Sequence, residues 1–212
     1  MATRRPVLSR ERIIHTALAV IDRDGLDALS MRRLGAELGV DAMAVYYHLP
    51  DKAALFDGVV EAVYSEVDVD AAALPGPWPE MLAVYLRRLR EVLRRHPHAV
   101  AVIATRPAYT ASVLGPADRA VGRLREEGLT ARSAMEITHA CRAFTIGFVL
   151  AEVGAPLGGP TRAPREAISP ADYPHLVEAM AEGYRPDEQY EAGLRAMLDG
   201  FARQQAAAGH VP

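Results

Sequence analysis

The residue types that best fit a binding chemistry in this 212-residue chain are concentrated in one short segment, residues 30–52. Two short helices are predicted there, at about Met31–Leu38 and Ala42–His48, with Ser30 and Asp41 as their N-caps. Two such helices packed at a steep angle leave one face of the second helix on the protein surface. Side chains on that face can then contact a partner molecule.

Two glycines in this segment favour a helix-turn-helix. Gly39 can adopt the positive φ that the turn needs, and Gly35 is small enough for the two helices to approach closely. Four apolar side chains at helical spacing would anchor the pair to a core: Leu34, Leu38, Val40 and Val45. An ordinary helical hairpin with a glycine turn is the alternative interpretation.

With those anchors turned inward, six residues remain on or near the outer face of the second helix: Ala42, Met43, Ala44, Tyr46, Tyr47 and His48. A hairpin would not expose the aromatic pair Tyr46-Tyr47 to water, whereas a helix that enters the DNA major groove can use it. The next helix begins after Pro50-Asp51 and carries Lys52. Its free N–H groups and the lysine can hold a phosphate.

Apolar residues recur at helical spacing along most of the chain, and no segment has the sequence pattern of a strand. The pattern predicts an all-α fold of about nine to ten helices. The head is predicted over residues 1–55, with a first helix that ends at Asp24 before a left-handed Gly25. A linking fourth helix is predicted over 52–69, and a body over 70–212. Helices of the body are expected at about Glu80–Arg95, Ala99–Thr105, Pro116–Glu127, Ala131–Val153, Tyr173–Gly183 and Asp187–Gln205, with a mobile loop over Gly154–Asp172.

The composition excludes several classes of protein. Apolar residues make up 50% of the chain, which is enough for a packed core. A net charge of −3 argues against a coat-like nucleic-acid binder or a DNA-bending protein, both of which need bulk positive charge. Cys141 is the only cysteine, so an intrachain disulfide and a cysteine-based zinc site are excluded.

Motifs for catalysis and membrane insertion are also missing from the sequence. It contains no H-E-x-x-H, G-x-S-x-G or P-loop pattern, so we expect no enzyme activity. The first residues lack the apolar region of a signal peptide, and the longest apolar stretch, around Ala143–Ala151, is too short to span a bilayer. The expected location is the cytoplasm, without a membrane partner.

Specific residue patterns occur in both halves of the chain. The head contains Leu38-Gly39-Val40, Val45-Tyr46-Tyr47-His48 and Asp51-Lys52-Ala53-Ala54-Leu55. The body contains Ala104-Thr105-Arg106-Pro107, Gly128-Leu129, Phe144-Thr145-Ile146-Gly147, Tyr190-Glu191-Ala192-Gly193-Leu194 and Gly200. From Leu8 to Val63 the chain resembles the DNA-binding domain of the TetR family of one-component regulators. The body resembles, more loosely, that of the tetracycline repressor subgroup.

The resemblance implies a ligand-responsive repressor that binds palindromic operator DNA as a homodimer and is released by a small-molecule effector. Arg32 is the implied base reader, since a guanidinium suits guanine O6 and N7. The other implied DNA contacts are base edges for Ala42, Met43 and Ala44, and phosphates for Arg33, Tyr46, Tyr47, His48 and Lys52. An activator, or a regulator that responds to another protein, is the alternative within the family.

The effector would be small and lipophilic, held between the helices of the body. Amphipathic position and resemblance suggest these lining residues: Trp78, Leu82, Tyr85, Leu86, Val102, Thr105, Tyr109, Met135, Thr138, His139, Phe144 and Phe148. Core packing is the alternative role for each of them. His139 is the polar residue that we favour for a ligand contact.

No metal or other cofactor is expected. The magnesium ligands of the tetracycline repressor, a histidine and a glutamate, correspond to Val102 and Ala151, which cannot ligate a metal. Glu152 lies one position on and points about 100° away around the helix. His96 and His98 are interpreted as a solvated helix end, and the arginines of residues 87–95 as a solvated face.

A dimer interface is predicted from the last helix, whose apolar stripe has Gly193 and Gly200 a turn or two away. Mid-helix glycines suggest close helix packing. In the family, the eighth and tenth helices of two subunits form a four-helix bundle. The residues assigned to this interface are Cys141, Thr145, Tyr190, Leu194, Met197, Leu198 and Phe201.

Overall fold

In a computed structural model, residues 7–107, 109–154 and 168–208 are described. These residues form ten α-helices, three short 3₁₀ turns and no strand, which confirms the predicted all-α fold. The helices are α1 (Arg10–Asp24), α2 (Met31–Leu38), α3 (Ala42–His48), α4 (Lys52–Ser65), α5 (Trp78–Arg95), α6 (Val100–Thr105), α7 (Ala111–Glu126), α8 (Ala131–Val153), α9 (Pro174–Ala181) and α10 (Pro186–Ala208).

Helix starts in the head follow from capping side chains that the sequence reveals. Ser9 Oγ accepts a hydrogen bond from the Arg12 N–H, and Ser30 Oγ accepts one from Arg33, each at 3.2 Å. Asp41 Oδ1 accepts from the Met43 N–H at 2.8 Å. Each cap satisfies an N–H group that has no partner within its helix. The predicted starts of α1, α2 and α3 are therefore confirmed.

Three local predictions are wrong. Helix α4 ends at Ser65 rather than at residue 69, and the chain turns away from helical geometry at Asp68, whose φ is +45°. Helix α7 begins at Ala111, so Pro116 lies inside it rather than at its start. Gly25 has the expected positive φ of 83°, but its ψ of 169° is extended rather than left-handed helical. The mobile loop predicted over 154–172 falls mainly on residues 155–167, outside the described part of the chain.

The buried apolar side chains form two clusters. The first contains side chains of the four helices α1, α2, α3 and α4, together with α6 and the C-terminal halves of α5 and α8. The second lies in the body, between the N-terminal half of α5, α7, α8 and α10. Tyr85 packs against both clusters. The head is thus connected to the body through continuous packing, so a shift of α4, α5, α6 or α8 would be transmitted to the head.

None of the described helices combines the length and the apolar character that a membrane span requires.

Candidate nucleic-acid interface and effector site

The turn between α2 and α3 depends on two glycines. A Cβ added at Gly35 would lie 3.0 Å from the Val40 carbonyl oxygen and 3.2 Å from the Ala42 nitrogen. Those atoms belong to the backbone and cannot rotate away. Gly39 has φ 69° and ψ 33°, the left-handed conformation that glycine adopts without strain. Both predicted glycine roles are confirmed.

The outer face of α3 presents apolar and aromatic side chains to solvent. Val45 is fully buried and fixes the rotation of the helix, while Met43 is 71% and Tyr47 88% exposed. Tyr46 and Arg32 are also exposed. The remaining predicted contact residues on α3, which are Ala42, Ala44 and His48, are half-buried. The structure therefore brings the predicted DNA-contacting residues of α3 to one accessible surface.

Two predicted phosphate ligands have partners within the head. The guanidinium of Arg33 donates to Asp24 Oδ2 at 2.6 Å. The ammonium of Lys52 donates to the Leu29 carbonyl at 3.2 Å and lies 5.3 Å from the centre of the Phe56 ring. An ammonium has three N–H donors, so Lys52 retains capacity for a further acceptor.

The predicted effector residues do not form one site. Trp78, Leu82 and Leu86 are buried in the second cluster, where Phe144 and Phe148 pack against them. Val102 is buried in the first cluster instead, and Thr105 donates to the Ala101 carbonyl of its own helix at 2.8 Å. Thr138 likewise donates to the Ala134 carbonyl on α8. Three further residues are exposed: Tyr109, Met135 and His139.

Three aromatic rings pack together in the body, beside a charged side chain. Phe144 stacks on Tyr190 with ring centres 5.6 Å apart, and Phe148 meets Tyr190 edge-on at 5.3 Å. The Arg90 guanidinium lies 4.6 Å from the centre of the Tyr190 ring. Burial raises the pKa of Tyr190 to about 12, against the opposing effects of Thr145 and Arg90. This hydroxyl therefore remains a neutral donor.

The stripe assigned to a dimer interface lies inside the protomer. Five of its side chains are fully or almost fully buried there: Cys141, Thr145, Tyr190, Leu194 and Leu198. Met197 and Phe201 pack against the same cluster. Gly193 does allow close packing, because an added Cβ would lie 2.7 Å from Phe144 Cζ, but it does so within one chain. The prediction of a partner contact is wrong for the five buried side chains, because they have no exposed surface. For Met197 and Phe201, which are partly exposed, it stays a prediction.

Both histidines that follow α5 are also buried or half-buried, and so the prediction of a solvated helix end is wrong. His96 Nδ1 lies 2.8 Å from Asp22 Oδ2, and His96 Nε2 lies 3.1 Å from Glu66 Oε2. His98 Nδ1 lies 3.0 Å from the Ile21 carbonyl oxygen. Together they connect the end of α5 to α1 and α4. No sequence signal marks these contacts, because the partners are far apart along the chain.

Comparison with known proteins agrees with this geometry in both halves. The family model described as "Bacterial regulatory proteins, tetR family" matches residues 13–59, and "Tetracyclin repressor-like, C-terminal domain" matches residues 72–205. The chain belongs to the TetR family. The body model alone spans more than half of the chain, so the membership does not depend on the helix-turn-helix.

Individual relatives match nearly the whole length of this chain. An HTH-type transcriptional regulator of Saccharopolyspora erythraea is 28% identical over 93% of this chain and 86% of its own length. A solved structure of a possible TetR-family regulator from Streptomyces coelicolor is 33% identical, with a TM-score of 0.80 over 92% of this chain and 99% of that one. The TetR-family protein ActR of Streptomyces coelicolor, solved in complex with actinorhodin, is 26% identical, with a TM-score of 0.76 over 95% and 97% of the two chains.

This TetR-family body does not fit a magnesium chelate of the tetracycline repressor type. Val102 is a buried aliphatic side chain, and Ala151 has no donor atom. The neighbouring Glu152 pairs with Arg90 at 3.0 Å. Within residues 7–107, 109–154 and 168–208, no group of three His, Cys, Asp or Glu side chains could hold a metal ion.

Polar contacts inside the body were not predicted from the sequence. Arg90 is buried and pairs with Glu152 and Asp187, so the interpretation of the arginines of residues 87–95 as a solvated face is wrong for Arg90. Arg142 on α8 donates to the Tyr64 hydroxyl on α4 at 2.9 Å. Helical periodicity places each residue on a face of its helix, but it does not identify the residue opposite.

Proposed function

We propose that this TetR-family chain is a cytoplasmic, ligand-responsive repressor that binds palindromic operator DNA as a homodimer and dissociates from it when a small lipophilic effector binds. The observation that carries the proposal is the outer face of α3, where Met43 and Tyr47 are exposed on a helix anchored by the buried Val45. Neighbouring exposed apolar and aromatic side chains on one helix face are typical of an interaction site.

The proposed DNA contacts are those that the family resemblance implies, and the exposure of Arg32, Met43 and Tyr47 supports them. Arg32 is exposed near the start of α2 and would read a guanine edge through two hydrogen bonds. Ala42, Met43 and Ala44 would meet base edges, with their methyl groups suited to thymine. Phosphate contacts are assigned to Arg33, Tyr46, Tyr47, His48 and Lys52.

A homodimer would present two such heads to two half-sites one helical turn apart, or a multiple of that spacing. Because the predicted stripe is buried, the interface would use the opposite faces of α8 and α10. Small exposed side chains lie there, including Ala143 and Gly147 on α8, and Ala192 and Ala196 on α10. Such side chains allow two helices to pack closely against a second copy.

An effector would act on the helices that join the head to the body. The relative ActR has been solved with the small molecule actinorhodin, which supports a small-molecule signal for this chain. The effector must bind more tightly to the conformation that does not fit DNA, since only a difference in affinity can shift the equilibrium. An activator of the same fold would keep the DNA contacts and reverse the response.

The operator proposal can be tested by fluorescence anisotropy with DNA from the regions that flank the gene. Arg32→Ala should weaken specific binding by about 1–3 kcal/mol, while Arg125→Ala, an exposed arginine on α7, serves as the matched control. Equal affinity of both variants and the wild type for the specific fragment would exclude the assigned reading surface. Light scattering of the same samples measures the dimer, and a monomer at micromolar concentration would contradict it.

A further inference from the structure

One arginine in the body lacks the counter-ion that its neighbours have. Arg142 is partly buried on α8, and its guanidinium donates to the neutral Tyr64 hydroxyl at 2.9 Å. By contrast, Arg90 pairs with Glu152 and Arg87 pairs with Glu191. In the part of the chain that the structure describes, no carboxylate lies within ion-pairing distance of Arg142.

A third polar group belongs to the same site. Tyr85 on α5 packs against both apolar clusters. Burial raises the pKa of Tyr85 to about 12; Tyr64 adds to this rise and Arg142 opposes it. The guanidinium therefore contacts the Tyr64 phenol on α4, and Tyr85 lies nearby on α5.

Apolar residues lie beside this cation. Its partner Tyr64 is buried in the first apolar cluster, and so is Ile146, one turn further along α8. A cation partly removed from water without a counter-ion is costly, and that cost is recovered when an anion binds. An anionic group attached to an apolar body would satisfy both the guanidinium and its surroundings.

We propose that Arg142 binds the acidic group of the effector, so that the effector is a lipophilic organic acid with a carboxylate or a similar anion. This inference rests on the proposed effector response and adds the chemical class of the ligand. Neutral lipophilic compounds can enter the same site but lack the charge-assisted hydrogen bonds that Arg142 supplies.

The same contact links the ligand to the DNA-binding head. Tyr64 lies near the end of α4, the helix that follows the helix-turn-helix. A guanidinium has five N–H donors, so an anion can bind Arg142 while the hydrogen bond to Tyr64 is kept. A movement of the guanidinium toward the bound acid would then change the position of α4.

The charge requirement can be tested with two fluorescent probes that differ mainly by an anion. The probe 1-anilinonaphthalene-8-sulfonate carries a sulfonate, and N-phenyl-1-naphthylamine has the same aromatic skeleton without it. We expect the wild-type chain to bind the sulfonate more tightly. Arg142→Gln should weaken sulfonate binding about tenfold or more and leave binding of the neutral probe unchanged.

Two further variants separate charge from folding. Arg142→Lys keeps the positive charge and should retain part of the preference for the sulfonate. Arg132→Gln removes an exposed arginine of the same helix, where it pairs with Glu136, and is the control for adventitious binding at the surface. Equal loss of both probes in Arg142→Gln, or equal affinity of the wild type for both, would overturn the proposal. The comparison of the two probes on the wild-type chain tests the proposal even if Arg142→Gln fails to fold.

Operator binding distinguishes this inference from the proposed function. Acidic compounds that release the wild-type chain from DNA, but not Arg142→Gln, would support both. Release by neutral compounds alone would exclude the role of Arg142 and leave the effector response intact. A chain that binds no operator fragment would exclude the proposed function, whatever the probe result.

Discussion

His96 Nδ1 lies 2.8 Å from Asp22 Oδ2 and thereby joins the end of α5 to the end of α1. The other ring nitrogen faces Glu66, which follows α4, at 3.1 Å. This buried ring therefore holds two helices of the DNA-binding head against the body.

Removal of the ring should loosen this junction. His96→Ala removes the ring contacts of Asp22 and Glu66, although Glu66 keeps its hydrogen bond from Arg95. It should lower the free energy of unfolding by about 1–3 kcal/mol, measured by urea denaturation at neutral pH. His175→Ala, on the exposed surface of α9, is the matched control and should change it by less than about 0.5 kcal/mol. Equal losses for the two variants would show that the junction contributes no specific stability.

Acid should weaken the same junction through Glu66. Burial alone would raise the pKa of this carboxyl, but hydrogen bonds from Arg95 and His96 hold it below its usual 4.5. A lowered pKa in the folded state gives stability above the usual value, and this stability is lost as the pH falls through the folded-state value. Because Glu66 is more than one third exposed, the effect should stay below about 1 kcal/mol.

The measurement compares the wild type with Glu66→Gln in urea titrations from about pH 7 to about pH 3. The wild type should be the more stable protein at the upper end, and its advantage should disappear at the lower end. Glu136→Gln, which removes a carboxylate from the exposed pair with Arg132, is the control. A difference between wild type and Glu66→Gln that does not vary with pH would contradict the assigned role.

Local features of the fold could be predicted because they depend on neighbours along the chain. The caps Ser30 and Asp41 act on N–H groups two or three residues away, and Gly35 contacts the turn that follows it. The contact between His96 and Asp22 could not be predicted, because it spans 74 residues. Its existence depends on how α1 packs against the body, which no short pattern encodes.

The apolar stripe on α10 illustrates a second limit of prediction from the sequence. Its apolar period correctly predicts a buried face for Leu194 and Leu198, but not which chain buries it. A helix packed in its own protomer and a helix packed against a partner need the same side chains. The effector residues show the same ambiguity, since Val102 and Leu82 are buried in different clusters.

The helix-turn-helix should be intolerant of a methyl group at Gly35. An added Cβ would meet backbone atoms of Val40 and Ala42 at 3.0–3.3 Å, so α2 and α3 would have to separate. We expect Gly35→Ala to cost about 1–3 kcal/mol of stability and to weaken operator binding. Gly122→Ala on α7, where an added Cβ meets no atom within 4 Å, should be neutral or stabilising. Thermal melts that are the same for both variants would contradict the close packing.

The Tyr190 hydroxyl should contribute stability that its ring does not. It donates to the Leu86 carbonyl at 3.1 Å and lies 3.0 Å from Thr145 Oγ1, in a fully buried position. Tyr190→Phe keeps the ring that stacks on Phe144 and faces Arg90, and removes only the hydroxyl.

The expected loss is about 1–2 kcal/mol in the free energy of unfolding, because a buried acceptor loses its donor. Tyr173→Phe, at an exposed position, provides the matched control and should change this energy by less than about 0.5 kcal/mol. Chemical denaturation of the three proteins measures both values. If Tyr190→Phe were as stable as the wild type, the packing of the rings alone would hold α10 against α5 and α8, and the hydroxyl would be dispensable.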